Sequence, residues 1–262
     1  MNHKGLSMEP AVHPVQLLQF YADIGVDTVV LDAPQNRLAV SAPSQVLKMA
    51  APAAPATAPA TGAIAAEGEA KALAAAAETL PALKDALQAF EGLPAKRTAR
   101  HTVFADGNPE SRILFVTDVP TAEDDRTGVP FSGPVGALFD KMIGAIGLDR
   151  TKVYITSVLN WRLPGGAKPA ASDIAVSLPF FHRHIALAKP AVIIPMGAVA
   201  AQAILGKKAK TITRARGKWA VYEGIPVLPM LHPEYLMATP AQKVQAWADL
   251  LALKAKLAEL GL

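Results

Sequence analysis

The sequence predicts an α/β fold, a three-layer α/β/α sandwich with a short, mostly parallel central sheet. Three observations predict it. Apolar runs at 113–116, 153–159 and 191–195 each end in a loop rich in Gly, Pro or small polar residues. A helical pattern follows each run. Strands that alternate with helices in this way build a parallel sheet between helix layers. The 262 residues suit one catalytic domain plus an appendage, since a domain usually takes roughly 100–200 residues.

Taken in order, residues 14–24 read as a short amphipathic helix, with Val15, Leu17, Leu18, Phe20 and Tyr21 apolar and Gly25 as a stop. Residues 1–39 form an N-terminal helical appendage on this reading. Residues 40–66 are mostly Ala, Pro, Thr and Ser. Repeated Pro removes helix hydrogen bonds and small side chains bury little, so this stretch reads as a semi-extended, disordered linker. The α/β domain is assigned to 67–262. It opens with helical segments to Phe90, the second started by Pro81. Strand 113–116 leads through a Gly/Pro loop to a helix at 134–146, closed by Gly147. Strand 153–159 leads to a helix opened by Ser172, which Pro179 should kink or divide. Strand 191–195 leads to a short helix between Gly197 and Gly206. A hairpin at 216–231 turns at Glu223-Gly224, and Thr239-Pro240 caps a long last helix.

Composition narrows the function. The chain has no cysteine, which excludes disulfides and thiolate metal sites. No apolar stretch approaches the ~20 residues of a membrane span, and no secretory leader pattern is visible at residues 1–10. The reading is cytoplasmic. The net charge of +4 permits nucleic-acid binding without requiring it.

Ligands of open α/β sheets sit beyond the carboxyl ends of the strands. Asp118 follows the first apolar run, Phe131 lies in the loop Gly128-Val129-Pro130-Phe131-Ser132-Gly133-Pro134-Val135-Gly136, and His232-Pro233 follows the run 226–231. A carboxylate, an aromatic face and a late His, each just past a strand, make a constellation. At these residues the chain resembles the uracil-DNA glycosylase superfamily, most closely its iron–sulfur branch (family 4) of bacteria and archaea. That branch reads Gly-Glu-Ala/Gly-Pro-Gly, an acidic stretch, then Gly-x-Pro-Phe-x-Gly-x-x-Gly. The resemblance continues through 153–156, Trp161-Arg162-x-Pro164, Pro179-Phe180, Arg216-Gly217-Lys218-Trp219 and His232-Pro233, and covers residues 85–255.

The resemblance implies a bacterial, monomeric DNA-repair hydrolase that cleaves the N-glycosidic bond of uracil, or of a related deaminated base, in DNA. Such chemistry asks for a carboxylate near the sugar and a donor near the departing base, with the base turned out of the helix and stacked. Asp118 matches the carboxylate that positions water; the alternative is a capping Asp. Phe131 matches the stacking ring, against a plain core Phe. His232 matches the donor to the uracil O2. Ser157 stands where the family has the base-reading Asn, and Asn160 is a further base-binding candidate. Leu236 occupies the position of an apolar wedge; the alternative is packing on the last helix. Arg162, Arg214, Arg216 and Lys218 are candidate DNA contacts, with Lys96, Arg97 and Arg100 behind them.

Departures weigh on the other side. Thr117, Val119 and Thr121 replace small residues, a single Ser157 hydroxyl replaces an amide, and Ala238 replaces an Arg. Leu93, Trp161 and Ser177 stand where the family's cluster cysteines do, so neither a 4Fe-4S cluster nor another metal or cofactor is expected. The competing expectation is a glycosylase fold that binds DNA and cuts weakly or not at all.

Overall fold

The computed structural model describes residues 60–206, 209 and 211–262. The readings for 1–39 and for 40–59 lie outside the described residues. The strands are β1 (Ala105–Gly107), β2 (Ile113–Thr117), β3 (Tyr154–Ser157), β4 (Val192–Met196), β5 (Ala220–Tyr222) and β6 (Ile225–Val227). The helices are α1 (Ala60–Ala76), α2 (Leu80–Ala89), α3 (Ala122–Thr127), α4 (Gly133–Gly144), α5 (Ala171–Ala188), α6 (Ala198–Leu205), α7 (Ile212–Ala215), α8 (Pro233–Ala238) and α9 (Lys243–Glu259).

The strands form one sheet in the order β1-β3-β2-β4-β6-β5. The inner strands β3, β2, β4 and β6 run parallel, and β1 and β5 pair antiparallel at the two edges. The buried apolar runs become the inner strands because both of their faces are covered. Side-chain alternation sends Leu114, Val116, Tyr154 and Ile193 to one face, where they join residues of α1, α2, α5 and α6. Ile113, Phe115, Ile155, Val192 and Ile194 join α4, α8 and α9 on the other. Three layers result, as the sequence predicts.

Local chemistry sets the helix ends. Thr79 caps α2, with Pro81 in its first turn. Lys96 closes the other end, donating to the carbonyls of Gln88 and Phe90 and pairing with Glu91. Lys96 is therefore a helix-end clamp rather than a ready phosphate contact. The hairpin turns at Glu223 (φ 48°) and Gly224 (φ 83°), and two successive positive φ angles give the twist that two-residue hairpins favour.

Some elements differ from the sequence reading. Helix α1 begins at Ala60, inside the stretch assigned to the linker. Helix α5 runs through Pro179 as one element; buried Val176, Phe180, Phe181 and Ile185 flank the proline, so packing offsets the missing hydrogen bond. Thr239 makes no side-chain cap; a 3-10 turn, Pro240–Gln242, precedes α9.

The positions matched to cluster cysteines are occupied by packing. Leu93 and Trp161 are buried in one apolar cluster with Phe90, Leu163 and Phe180. The Ser177 hydroxyl turns back to donate to the Asp173 carbonyl. A chain without cysteine offers no thiolate for an iron–sulfur cluster, so these residues do not fit the group. Among the described residues, no cluster of His, Asp and Glu has the makings of a metal site.

Candidate active site

The site lies at the carboxyl end of β2, where Thr117 pairs with Ser157 of β3 on one side and Met196 of β4 on the other. The chain proceeds from β2 to β3 on one flank and later returns to β4 on the other, so the loops there leave in opposite directions. This is the switch point at which α/β sheets open a crevice. Residues 113, 115 and 117 share a face, so Thr117 and its paired Ser157 and Met196 point to the side of Phe115, Phe131 and Phe139.

The loop after β2 is built by its acids. Thr121 and Asp124 form a capping box on α3. Asp124 also accepts from the Ser132 amide at 2.6 Å. Asp125 accepts from the amides of Arg100 and His101. Asp124 and Asp125 are thus buried fasteners of the loop.

These fasteners deliver Phe131. Its backbone is left-handed (φ 53°), a costly conformation for a bulky residue. Arg150 holds it, donating to the carbonyls of Phe131 at 2.6 Å and Pro130 at 3.2 Å. Asp106 and Asp140 pair with the same guanidinium at 2.6 and 2.8 Å. Gly136 must lack a side chain because a Cβ would run into the Phe131 carbonyl. The Phe131 ring stacks on Phe139 at 4.4 Å and lies 5.5 Å from the His232 ring.

His232 is the N-cap of α8. Its Nδ1 accepts from the Glu234 amide at 3.2 Å, which places the ring proton on Nε2. Nε2–H therefore donates to Thr117 Oγ1, at 2.9 Å. Burial lowers the His232 pKa to about 4, so the ring is neutral near pH 7. Ser157 lies one strand away, 2% exposed. Its hydroxyl is the one buried side-chain polar atom among the described residues with no hydrogen-bond partner.

Asp118 sits beside this group but faces α6. Its carboxylate accepts from the Ala200 amide at 2.7 Å. Burial raises its pKa to about 6, against the amides of Ala200, Val199 and Ala198, which hold it down. Gly197 (φ 119°) leaves room for it; a Cβ there would collide with the carboxylate.

The structure thus brings together Phe131, His232 and, on the same sheet face, Ser157, with Asp118 next to Thr117. Asn160, Leu236 and Arg216 are engaged elsewhere. Asn160 donates its side-chain amide to the Val103 carbonyl and accepts the Val103 amide on its backbone carbonyl; it pins the segment before β1. Leu236 is 1% exposed and packs in the core with α9; Tyr235 and Met237 are the exposed large apolar side chains of α8. Arg216 is bound to Asp249 through both guanidinium and carboxylate edges and to Gln245, which makes it a structural clamp. Arg162 is half-buried, and Arg97, Arg100, Arg214 and Lys218 are exposed. Sequence reasoning missed Arg150 and the His232 partner Thr117, neither of which has a local signature.

Comparison with known proteins finds a matching family and several similar proteins. The profile of the Uracil DNA glycosylase superfamily matches residues 104–251, more than half of the chain. A Type-4 uracil-DNA glycosylase of Thermotoga maritima is 29% identical over 171 residues, 64% of this chain and 88% of that protein. One of Archaeoglobus fulgidus is 32% identical over 162 residues, 58% of this chain and 80% of that protein. One of Sulfurisphaera tokodaii is 32% identical over 148 residues, 53% of this chain and 67% of that protein.

Proposed function

Because the chain belongs to the uracil-DNA glycosylase superfamily, we propose that it is a DNA glycosylase that hydrolyses the N-glycosidic bond of uracil, or of a related deaminated base, in DNA. The observation that carries this reading is the neutral His232, its N–H aimed along Thr117 beside the Phe131 ring and the unpartnered Ser157 hydroxyl. Cleavage leaves the base as an anion and the sugar cation-like. A preorganised neutral donor stabilises the anion without first giving up a charge. Phe131 supplies a ring face for the extruded base. Asp118, ionised above about pH 6, offsets the sugar's charge and orients water. A carboxylate has about four acceptor positions, so three helix amides leave one for that water. The DNA is the partner, the site needs no cofactor, and the protein acts as a cytoplasmic monomer on this reading. Among the described residues no helix is long and apolar enough to cross a membrane.

A second reading, a DNA-binding protein that cuts slowly or not at all, is favoured by one observation. Both His232 nitrogens and the Asp118 carboxylate already have partners within the protein. A uracil-containing single-stranded oligonucleotide, incubated with protein and then treated with alkali, separates the two. Strand breakage that His232→Ala lowers by about 10²-fold or more supports the enzyme. Intact DNA that is nevertheless retained in a gel supports the binder.

A further inference from the structure

The imidazole of His232 has no free N–H. Its Nδ1 is the acceptor for the Glu234 amide and its Nε2–H is directed to Thr117 Oγ1. A base carbonyl can receive that N–H only if Thr117 is pushed aside or passes the interaction on. Thr117 can pass it on. Its oxygen is occupied as an acceptor from His232, while its own proton makes no hydrogen bond among the described residues. Thr117 is 2% exposed and stays fixed by the pairing of β2 with both β3 and β4.

The direction of the chain is set by a backbone group. The Glu234 amide has a proton and no lone pair to offer, so Nδ1 must accept, Nε2 must donate, and the Thr117 hydroxyl is left to act as a donor. A hydroxyl that accepts a hydrogen bond becomes a better donor in turn. Next to it in register stands Ser157, whose buried hydroxyl has both its donor and its acceptor functions unused. A buried orphan of this kind is uncommon and calls for a missing partner.

We propose that Thr117 is the group that meets a carbonyl oxygen of the flipped base, carrying the polarity of His232 to it, and that Ser157 takes the adjacent ring nitrogen. The proposal rests on the glycosylase reading for the identity of the ligand and deepens it. Thr117 and Ser157 together replace a single amide, and His232 acts through Thr117 as a positioning residue. No bond forms or breaks in this relay; protons stay on Nε2 and Oγ1 and are only shared more strongly. The ligand class is a planar ring that presents C=O beside a ring nitrogen.

Binding of free uracil tests this apart from cleavage. The full chain is titrated with uracil while the imidazole nitrogens of His232 are followed by NMR. In the wild-type protein Nε2 should stay protonated in the complex. Thr117→Val, close in shape but without the hydroxyl, should weaken uracil binding about tenfold, the scale of one lost polar contact to a base. Thr117→Ser, which restores the hydroxyl, should recover most of that affinity. Thr117→Val combined with His232→Gln should bind no worse than Thr117→Val alone, because both changes cut the same relay. Unchanged or tighter uracil binding by Thr117→Val overturns the proposal and shows that Thr117 merely occupies the His232 N–H. Absence of uracil binding by the wild-type protein overturns it as well. A protein that binds uracil through Thr117 but leaves DNA intact would keep this proposal and remove the glycosylase reading. A protein that cleaves equally well with Thr117→Val would do the opposite.

Discussion

Asp118 is pulled in two directions. Burial favours its neutral form and the amides at the start of α6 favour its anion; burial is the larger influence, and the pKa rises from 3.8 to about 6. A carboxyl whose folded pKa is raised contributes most stability below its unfolded pKa and loses it as pH rises through the folded value. His232 runs the opposite way. Its folded pKa is depressed to about 4, so its contribution is full above its unfolded pKa and is lost on acidification through the folded value. The two slopes oppose each other in the wild-type protein, so the informative quantity is a difference. The stability of wild type relative to Asp118→Asn should fall between about pH 4 and pH 7, by at most about 3 kcal/mol for a shift of this size. Relative to His232→Gln, the wild type should lose stability as pH drops over the same range. Urea unfolding across a pH series measures both, and a flat difference for Asp118→Asn would show that the carboxyl titrates normally. On the glycosylase reading, which gives the Asp118 anion a role, cleavage should rise with pH through about 6 and fall by about 10²-fold or more in Asp118→Asn.

At the scale of elements, the geometry of α8 decides which of its side chains face the core and which face outward. His232 was legible because it ends an apolar run and precedes a proline that starts a helix. The same helix then fixes which neighbours face inward. With His232 as N-cap, Pro233 and Leu236 are three residues apart and both buried, whereas Glu234, Tyr235 and Met237 point out. Counting along the chain places Leu236 at a wedge position; helical phase places it in the core. Leu236→Ala should therefore cost about 2–5 kcal/mol in unfolding experiments, as buried Leu truncations do, while Met237→Ala should stay within about 0.5 kcal/mol. The inner strands were readable for a related reason: a parallel strand covered on both faces must be apolar throughout. The Arg216–Asp249 clamp was not, because its partners are distant in sequence and only packing of the hairpin region on α9 joins them. Arg216→Ala leaves Asp249, 2% exposed, without its cation. The expected loss is about 3–5 kcal/mol, and a loss below about 1 kcal/mol would show the clamp to be a surface pair.

Across the whole molecule, the charge that could hold DNA is modest and unevenly available. The net charge is +4, yet several cations that look free in the sequence are engaged. Lys96 closes α2, Arg150 holds Phe131 and Arg216 clamps α9. The exposed Arg214 and Lys218 lie on either side of Arg216 in the chain, so one short segment carries two outward cations around an inward one. Neutralising a phosphate releases counterions, and the logarithm of affinity for single strands falls with the logarithm of salt by about 0.7 per contact. If this segment meets the backbone of DNA, Arg214→Ala with Lys218→Ala should make that slope shallower by about 1.4 and weaken binding to uracil-containing and undamaged oligonucleotides alike, since phosphate contacts carry no base information. Met237→Ala offers a contrast: loss of a neutral side chain leaves the salt slope unchanged whatever it does to affinity. Gel retention between about 50 and 200 mM salt reads these slopes directly. An unaltered slope in the double variant would move the DNA to another face and leave Arg97, Arg100 and Arg162 as the cations to test next.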